Sequence, residues 1–512
     1  MTTEAIGLLF IFLLWISYRL RKVGSREQDL PPGPPTVAII GNLDIFPTVH
    51  PYLKLTEWAK AYGDIYSLKL GPKTVVVVSS PRAVRECIDL RGSTMSGRPY
   101  MYGVELIYGD AVDLVLVDYG PTWKALRRTV RDALSGEACM RHLPIQHAEA
   151  TQLMYDFLEN PQNFYTHIYS IVEDIDNDMR LIGDLVKPGG TPPIELIPIL
   201  RYIPERWAPW KAQAREVRAL QRRLYFGLLD LCIDRVDNEK RNGCFIEDVL
   251  DHQEEYGLDY EKIAYLIGTL MVAGADTTAV YLRFFVACMA TYSDVQARAQ
   301  QEIDSVIGSS RTPEVDDIDS LPFLKAVINE VHRFRPTAPL AIPHTNTVDE
   351  RIGNFVIPKD STILLNVWGI YRHEDYFENP NEFLPDRYMR SEYGTKPGVD
   401  TTGLRNDYGF GAGRRICPGM HLANNSIILN VMNFLWAFNF NVPKDSVTGE
   451  PIAIDLDNNT LDLTLGPNPY ECDIKPRSEA KANMIRARFA AAGSTFALFD
   501  NQTTVNETSK SK

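Results

Sequence analysis

Residues 410–419 read Phe-Gly-Ala-Gly-Arg-Arg-Ile-Cys-Pro-Gly. They place Cys417 directly before a segment with helical periodicity, and Pro418 suits the first position of a helix. Backbone N–H groups at a helix start favour an anion, and Arg415 adds positive charge two residues away. Both effects predict a lowered pKa for the thiol. We interpret this stretch as a site that holds a thiolate on a metal.

The glycines around the cysteine support this interpretation and also raise alternatives. Gly413 and Gly419 permit tight turns and the close approach of backbone to a planar ligand. A buried structural cysteine is the first alternative, as is expected of Cys288 on its apolar helix. A phosphate-binding loop is the second. The GxGxG spacing of Gly409, Gly411 and Gly413 differs from the GxGxxG pattern, however, and no hydrophobic strand precedes it.

The composition describes an acidic globular protein. The 512 residues are 45% hydrophobic and 23% charged, with a formal net charge of -13. These values exclude extensive disorder, and the acidic balance argues against nucleic acid as a main partner. The seven cysteines include no CxxC pair, so neither a disulfide framework nor a structural zinc site is predicted. Reduced thiols suggest a protein that faces the cytosol.

The hydrophobic periodicity predicts a mainly α-helical body with a minor β component. The predicted helices are Leu53–Tyr62, Tyr265–Met289, Asn424–Phe440 and most of residues 120–340, and the predicted strands are Tyr66–Leu70, Thr74–Ser79 and parts of Arg351–Val367. Residues 370–415 are rich in Pro, Gly, Asn and Asp, which indicates a long irregular segment with a function. We assign residues 36–475 to one large domain and residues 476–512 to a flexible polar tail.

The first residues predict a membrane anchor. Ala5–Tyr18 carry no charge, and the positive charges follow this run instead of preceding it. That order predicts an anchor over residues 1–22 with the remaining chain in the cytosol, rather than a cleaved signal peptide. An amphipathic or buried helix is the alternative. Residues 23–35 are basic and then proline-rich, which indicates a stiff linker.

The decapeptide resembles the haem-ligand signature of the cytochrome P-450 family, Phe-x-x-Gly-x-Arg-x-Cys-x-Gly. The matching fixed positions are Phe410, Gly413, Arg415, Cys417 and Gly419. The resemblance implies the cytochrome P-450 fold, mainly α with minor β in a single large haem-binding domain. It also implies that these residues contact haem b, with Cys417 as the axial thiolate ligand of the iron. The anchor, the linker and the length resemble the membrane-bound, microsomal type.

Two further segments match the same family. Glu330 and Arg333 form its Glu-x-x-Arg motif, and residues three apart share a helix face and can pair. Arg387, in Phe-Leu-Pro-Asp-Arg-Tyr, matches the arginine-bearing segment of the family. The resemblance implies that these three residues form a structural cluster, which braces the irregular segment behind the haem.

Basic residues at family positions are expected to hold the haem carboxylates. Trp123 and Arg127 match the Trp-x-x-x-Arg motif, and their spacing places both on one side of a helix. Arg415 is the second expected partner, since a guanidinium suits a carboxylate. His344 stands where the family often has a basic residue that binds a propionate. An ordinary hydrogen-bonded histidine is the alternative at that position.

The long apolar helix is interrupted by Ala-Gly-Ala-Asp-Thr-Thr at residues 273–278. Glycine weakens a helix, and threonine can donate back to a carbonyl one turn earlier. Close helix packing around a satisfied aspartate would explain the same residues. The segment also matches the Ala-Gly-x-Asp-Thr-Thr motif of the family. That resemblance implies that Thr277 and Asp276 serve oxygen activation, Asp276 as a relay of protons through water.

The resemblance implies a monooxygenase that inserts one oxygen atom from dioxygen into a hydrophobic small molecule, as in fungal secondary metabolism. The expected substrate-facing residues are Tyr102, Val104, Leu106, Ile107, Leu270, Met271, Leu340 and Ile342. Because the chain has no flavin or nicotinamide domain, a separate NADPH-dependent reductase is expected to supply electrons. The expected location is the endoplasmic reticulum membrane, with a cytosolic catalytic domain.

Two other functions remain open at this stage. A haem-thiolate isomerase or dehydratase would rearrange a peroxide without dioxygen or a reductase, although the Asp276-Thr277 pair favours a monooxygenase. A haem-binding sensor or membrane scaffold would hold haem and show no turnover. Dependence of turnover on a reductase separates these functions.

Overall fold

The structure is a computed structural model. It describes residues 10–12, 14–15, 18, 22–109, 113–169, 173–186, 190–460 and 464–498. The predicted anchor over residues 1–22 therefore lies mostly outside the described residues. Those of its residues that are described between Phe10 and Tyr18 are helical, apolar and more than half exposed.

Helices dominate the described part of the chain. Its longer helices are α1 (Pro51–Tyr62), α2 (Pro121–Ala133), α3 (Leu143–Glu159), α4 (Glu173–Val186), α5 (Pro209–Gln221), α6 (Gly227–Asp237), α7 (Tyr260–Thr291), α8 (Ser293–Val306), α9 (Pro322–Phe334), α10 (Met420–Ala437) and α11 (Glu479–Phe496). Short helices lie at Pro81–Val84, Tyr102–Tyr108, Gly136–Met140, Phe164–His167, Phe245–Asp251, Gln253–Tyr256, Val367–Ile370 and Asp386–Arg390. The expectation of a mainly α fold with minor β is confirmed.

The strands form three small sheets. They are β1 (Ile65–Leu70), β2 (Lys73–Val78), β3 (His344–Thr345), β4 (Glu350–Ile352), β5 (Phe355–Ile357), β6 (Thr362–Leu365), β7 (Phe438–Asn441) and β8 (Asp473–Pro476). The largest sheet has the order β1-β2-β6-β3, with β2 and β6 parallel and the other two pairs antiparallel. The predicted hairpin is therefore present. Its apolar face packs against α1.

Helix α7 forms the centre of the molecule. Asp259 caps its first turn by accepting a hydrogen bond from the backbone N–H of Lys262 at 2.9 Å. Among the described residues only α7 is long and apolar enough to span a membrane, and half of its most apolar window is buried in the protein. Its C-terminal half packs with α3, α9 and α10 in one apolar core, and its N-terminal half packs with α2, α5 and α6 in another. We therefore describe α7 as the core helix that connects both halves of the domain.

A buried ion cluster fixes the irregular segment to α9. The Arg333 guanidinium donates to both carboxylate oxygens of Glu330 at 2.7 and 2.8 Å, and neither side chain is exposed. Arg387 Nε also contacts Glu330, at 3.1–3.2 Å. The remaining Arg333 donors reach the carbonyls of Tyr371, Pro380 and Glu382. These bonds to backbone hold a long stretch that has little secondary structure of its own.

The structure corrects two boundaries. Residues 438–441, whose first three were assigned to a helix, form β7, because the alternation Phe-Asn-Phe-Asn buries one face against β8. The tail from residue 476 was expected to be flexible, but Glu479–Phe496 is helix α11. Its Ile485 is fully buried and its Phe489 stacks on Tyr155 of α3 at 3.9 Å. An apolar stripe on one face thus holds most of the described tail against the core.

We predict that Glu330→Gln lowers the free energy of unfolding by about 3–5 kcal/mol, because it leaves two buried guanidinium groups without their counter-charge. The matched control is Asp319→Asn, whose pair with Lys325 is exposed to solvent. That change should cost less than about 1 kcal/mol. Denaturant titration of both variants measures the difference, and equal effects would contradict the structural role of the cluster.

Candidate functional site

The loop that carries Cys417 is folded tightly by its own backbone. The Cys417 N–H donates to the carbonyl of Phe410 at 2.8 Å, which closes the decapeptide on itself. Gly413 adopts a φ of 58°, and a Cβ on it would lie 3.0 Å from a methyl group of Ile88. Its N–H donates to Asp89 at 2.9 Å. A glycine is therefore required at this position by both conformation and space.

The surroundings of the Cys417 thiol differ from the expectation in the net direction of its pKa shift. Helix α10 begins at Met420, so Pro418 precedes the helix and Cys417 lies in the loop before it. Burial raises the pKa of Cys417, although the N–H of Gly419 and the charge of Arg127 act to lower it. Local groups therefore act to lower the thiol pKa, as predicted, but desolvation raises this pKa by more.

Helix α7 is open to solvent in its middle. Ala273, Gly274 and Thr277 are exposed, whereas residues on both sides of them along the helix are buried. A Cβ added to Gly274 would meet nothing within 4 Å. The small residues at 273–275 therefore border open space inside the molecule, as the sequence indicated.

The two polar residues of this segment point to different partners. Thr277 Oγ1 donates to the Ala273 carbonyl at 2.7 Å, the bond one turn back that the sequence predicted. Asp276 is buried, and its Oδ2 accepts a hydrogen bond from Thr464 Oγ1 at 2.8 Å. The acid is thus fixed toward the loop before β8, while the threonine faces the open space.

Two buried arginines lie beside the cysteine loop. Arg415 donates to the carbonyls of Ser96 and Val117 at 2.9 and 2.8 Å, and its guanidinium lies 4.6 Å from the centre of the Trp123 ring. Arg98 donates to the carbonyls of Ile342 and Pro343 and of a third residue, Val115. Burial, with the mutual repulsion of the two guanidinium groups, lowers the pKa of Arg98 to about 9.

Helix α2 places a third arginine nearby. Arg127 is half-buried, and in the described part of the chain its guanidinium has neither a hydrogen bond nor an ion pair. Its charge is close enough to affect the pKa of Cys417. Trp123, one turn earlier, is buried in the apolar cluster that also contains Leu126 and Leu266. Arg98, Arg127 and Arg415 therefore share one region in which no described carboxylate forms an ion pair with any of them.

His344 lies at the edge of this region. Its Nδ1 is 2.8 Å from the carbonyl of Met95, and the ring is buried. Burial, with the charges of Arg98 and Arg415, lowers the pKa of His344 to about 3. The ring is therefore neutral, and Nε2 is its remaining hydrogen-bonding atom.

These residues fit a planar ligand that carries two carboxylates, as haem does. The site offers a thiol for the iron, open space along α7, and three guanidinium groups that no carboxylate in the described part of the chain pairs with. Phe410 packs on His332 with 5.7 Å between their ring centres. Gly419 leaves room beside the Cys417 sulfur. Both residues therefore support the conformation of the cysteine loop. Such a donor set matches haem better than it matches a phosphate group.

Two residues of the site have no signal in the sequence. Arg98 stands alone in a loop, in no motif, and Thr464 is 188 positions from its partner Asp276. The expected lining is partly assembled: Val104 and Ile107 are buried in the same apolar cluster as Trp123, with Leu270 and Met271 packed against it. The further expected lining residues are Tyr102 and Leu106, which also contact that cluster, and Leu340 and Ile342, which lie in the segment before β3.

Comparison with known proteins agrees with this geometry. The model of the Cytochrome P-450 family matches residues 31–164 and 173–471. A cytochrome P-450 monooxygenase of Armillaria gallica is 40% identical over 517 residues, which cover 97% of this chain and 98% of that protein. Relatives from Aspergillus niger and Penicillium terrestre, also cytochrome P-450 monooxygenases, are 33% and 34% identical over 96% of this chain and 96–97% of theirs.

The fold is also found among solved structures. A zebra fish cytochrome P-450 solved with abiraterone superposes with a TM-score of 0.64 at 24% identity, covering 84% of this chain and all of that chain. Full-length similarity, the family match and the thiol site with its arginines agree. The chain therefore belongs to the cytochrome P-450 family of haem-thiolate monooxygenases.

Proposed function

We propose that this protein inserts one oxygen atom from dioxygen into a hydrophobic small molecule of secondary metabolism, with electrons from a separate NADPH-dependent reductase. The observation that carries the proposal is the thiol loop beside three arginines that form no ion pair with a carboxylate among the described residues. The fungal monooxygenases to which the chain is similar support the reaction class.

We assign haem b as the cofactor and Cys417 as its axial ligand. Trp123, Arg127, Arg415 and Arg98 then hold the two carboxylates. Nδ1–H of the neutral His344 ring donates to Met95, so Nε2 is an acceptor and would bind a carboxylate only after taking up a proton. When bound, the thiolate-ligated haem supplies dioxygen activation, because thiolate donation favours O–O cleavage. The protein contributes charge: three guanidinium groups balance a thiolate and two carboxylates that would otherwise be too costly to bury.

Thr277 and Asp276 are assigned to proton delivery. Thr277 Oγ1 is exposed to the open space and donates to a backbone carbonyl, so its lone pairs can accept from a water. By turning away from that carbonyl, the hydroxyl would donate to the reacting oxygen. Asp276 is the acid next to it in the chain. We infer that Asp276 passes a proton through water to Thr277 Oγ1, which releases its own hydroxyl proton toward the open space.

An apolar lining favours a hydrophobic substrate. Val104, Ile107, Leu270 and Met271 belong to or contact one apolar cluster that also includes Trp123. Burial of an apolar substrate against such residues is favourable by about 25 cal/mol per Å². It also excludes water from the place where the oxygen atom is transferred.

We propose that the catalytic domain lies on the cytosolic face of the endoplasmic reticulum membrane, anchored by residues 1–22 and joined to the domain by residues 23–35. Two surface segments support a second membrane contact. They expose Val37, Ile39, Ile40, Leu43, Ile45 and Val49 in one segment, and Ile197, Ile199, Tyr202 and Trp207 in the other. Exposed apolar groups at this density are typical of a membrane or protein contact.

A basic face on α2 and the cysteine loop is assigned to the reductase. Of its four residues, Arg128 pairs with Glu255 and Arg131 contacts Asp132, so their charges are partly balanced. Lys124 and Arg414 both lie over the ring of Tyr119 and form no ion pair among the described residues. We therefore place the docking contact around these two residues, where complementary charge steers an acidic partner.

The first test is the absorption spectrum of the reduced protein with carbon monoxide. We expect a red-shifted Soret band of the thiolate type, and its loss in Cys417→Ser. Cys472→Ser is the control, since that half-buried thiol directly precedes β8, outside the site. A thiolate-type band in the Cys417 variant, or none in the wild type, would contradict the proposal. Turnover that requires a reductase then separates a monooxygenase from an isomerase or a non-catalytic haem protein.

We predict that Thr277→Ala keeps the haem but couples electron use poorly to product, because Thr277 Oγ1 is the hydroxyl at the open side of α7. Electrons should appear as hydrogen peroxide, measured against NADPH consumed. Thr291→Ala is the matched control: Thr291 is also exposed on α7 and donates one turn back, at 2.8 Å. Equal coupling in both variants would remove Thr277 from the mechanism.

We predict that Arg127→Gln weakens haem retention about tenfold, since a charged hydrogen bond is worth about 1.5–3 kcal/mol. Arg131→Gln, on the same helix but 70% exposed and in contact with Asp132, should retain haem as the wild type does. The haem transfer rate to an apoprotein acceptor measures both. Equal rates would show that Arg127 does not contact a haem carboxylate.

A further inference from the structure

A pair of cysteines lies outside the haem site. Cys232 is on α6 and Cys244 directly precedes the short helix Phe245–Asp251, and both are half-buried. Nη2 of Arg235 lies 3.4 Å from the sulfur of Cys232 and 3.3 Å from that of Cys244. One guanidinium nitrogen therefore contacts both sulfur atoms, which brings the two thiols together.

The arginine of this group has no acidic partner. Within the described residues Arg235 forms no ion pair, and its side chain makes hydrogen bonds to the two sulfur atoms. Its Nε is buried and has no acceptor. A half-buried positive charge whose neighbours are thiols stabilises the ionised form of one of them.

The two thiols differ in acidity. A hydrogen bond from Cys232, with the charge of Arg235, lowers the pKa of Cys244 to about 6, although burial and the charge of Glu247 oppose this. The same hydrogen bond raises the pKa of Cys232. Near neutral pH, Cys244 is therefore the nucleophile and Cys232 holds the shared proton.

The segment between the cysteines can adjust. Residues 238–241 and 243 are exposed, and Glu239 and Gly243 have positive φ angles of 56° and 77°. A disulfide needs a sulfur–sulfur distance of about 2 Å, so the side chains must rotate toward each other. A short exposed loop between two helices permits that rotation without disturbing the core.

We infer that Cys232 and Cys244 form a reversible disulfide by exchange with a disulfide oxidant such as oxidised glutathione. Cys244 thiolate attacks one glutathione sulfur, forms a mixed disulfide and releases one glutathione thiolate. Cys232, on losing its proton, attacks the Cys244 sulfur and releases the second glutathione as a thiolate. One disulfide is reduced to two thiols while the protein dithiol is oxidised, so electrons balance. Cytosolic disulfides of this kind are transient and redox-sensing.

The inference does not rest on the haem chemistry, and its test uses the full-length haem-bound protein. The protein is equilibrated with reduced and oxidised glutathione in varied ratio, alkylated and mapped by mass spectrometry. We expect a Cys232–Cys244 cross-link, formed at least about tenfold faster than any adduct at Cys472, whose pKa burial raises to about 12. Cys472→Ser, the matched control, should form the cross-link at the wild-type rate.

Single-residue variants separate the role of Cys244 in the first attack from the role of Cys232 in the second. Cys232→Ser should stop at a glutathione adduct on Cys244, whereas Cys244→Ser should form neither cross-link nor rapid adduct. Arg235→Gln should slow the first step several-fold. The carbon monoxide spectrum of each variant reports whether the fold is intact. An adduct on Cys232 but not on Cys244 in the single variants, or separate adducts without a cross-link in the wild type, would overturn the inference.

Proteolysis gives a second readout. Lys240 is exposed and lies between the two cysteines, so trypsin can cut the loop there. After oxidation the two fragments should remain joined on a non-reducing gel and separate on reduction. Separation of the fragments from oxidised protein without reductant would contradict the cross-link.

Discussion

The position of the catalytic thiol depends on the buried contacts of Arg333. The chain between β6 and α10 contains only short helices, and it ends in the loop that carries Cys417. Five donor contacts of Arg333 connect Glu330 to three carbonyls of that stretch. Ordering this stretch costs about 1–2 kcal/mol of backbone conformational entropy per residue. Without the Arg333 contacts, the other loop contacts alone would have to offset that cost. A residue that never touches the ligand therefore fixes the ligand site.

The second constraint is charge. In the proposed haem site, a thiolate and two haem carboxylates would bring three negative charges into the region, and Arg98, Arg127 and Arg415 would provide three positive ones. In the protein alone, two of them are satisfied by backbone carbonyls, and burial lowers the pKa of Arg415 to about 10. Arg127 remains without such bonds. This excess of positive charge would favour a dianion over a neutral molecule as the ligand.

Sequence patterns predicted those parts of the structure that short-range spacing determines. Glu330 and Arg333 are three residues apart on one helix, and Thr277 donates to a carbonyl one turn earlier, so both arrangements follow from helical geometry. Arg98 and Thr464 reach the site from distant loops, and no local pattern marks them. Tertiary contacts also decided the two corrected boundaries, because β7 exists through its pairing with β8, and α11 through packing against α3. The glycines and arginines of the cysteine loop could be predicted from the sequence because one continuous segment carries them.

Cys417 and Cys244 show how the surroundings of a thiol determine the chemistry proposed for it. Burial raises the pKa of Cys417, while the N–H of Gly419 and the charge of Arg127 oppose this rise, and coordination to a metal ion would favour the ionised form. Cys244 is half-exposed and is paired with a thiol and an arginine, so it ionises without any ligand. In the proposed haem site, the first thiolate would be bound by the iron. Partial exposure makes the second one free to react, and the adjacent Cys232 limits the reaction to a disulfide.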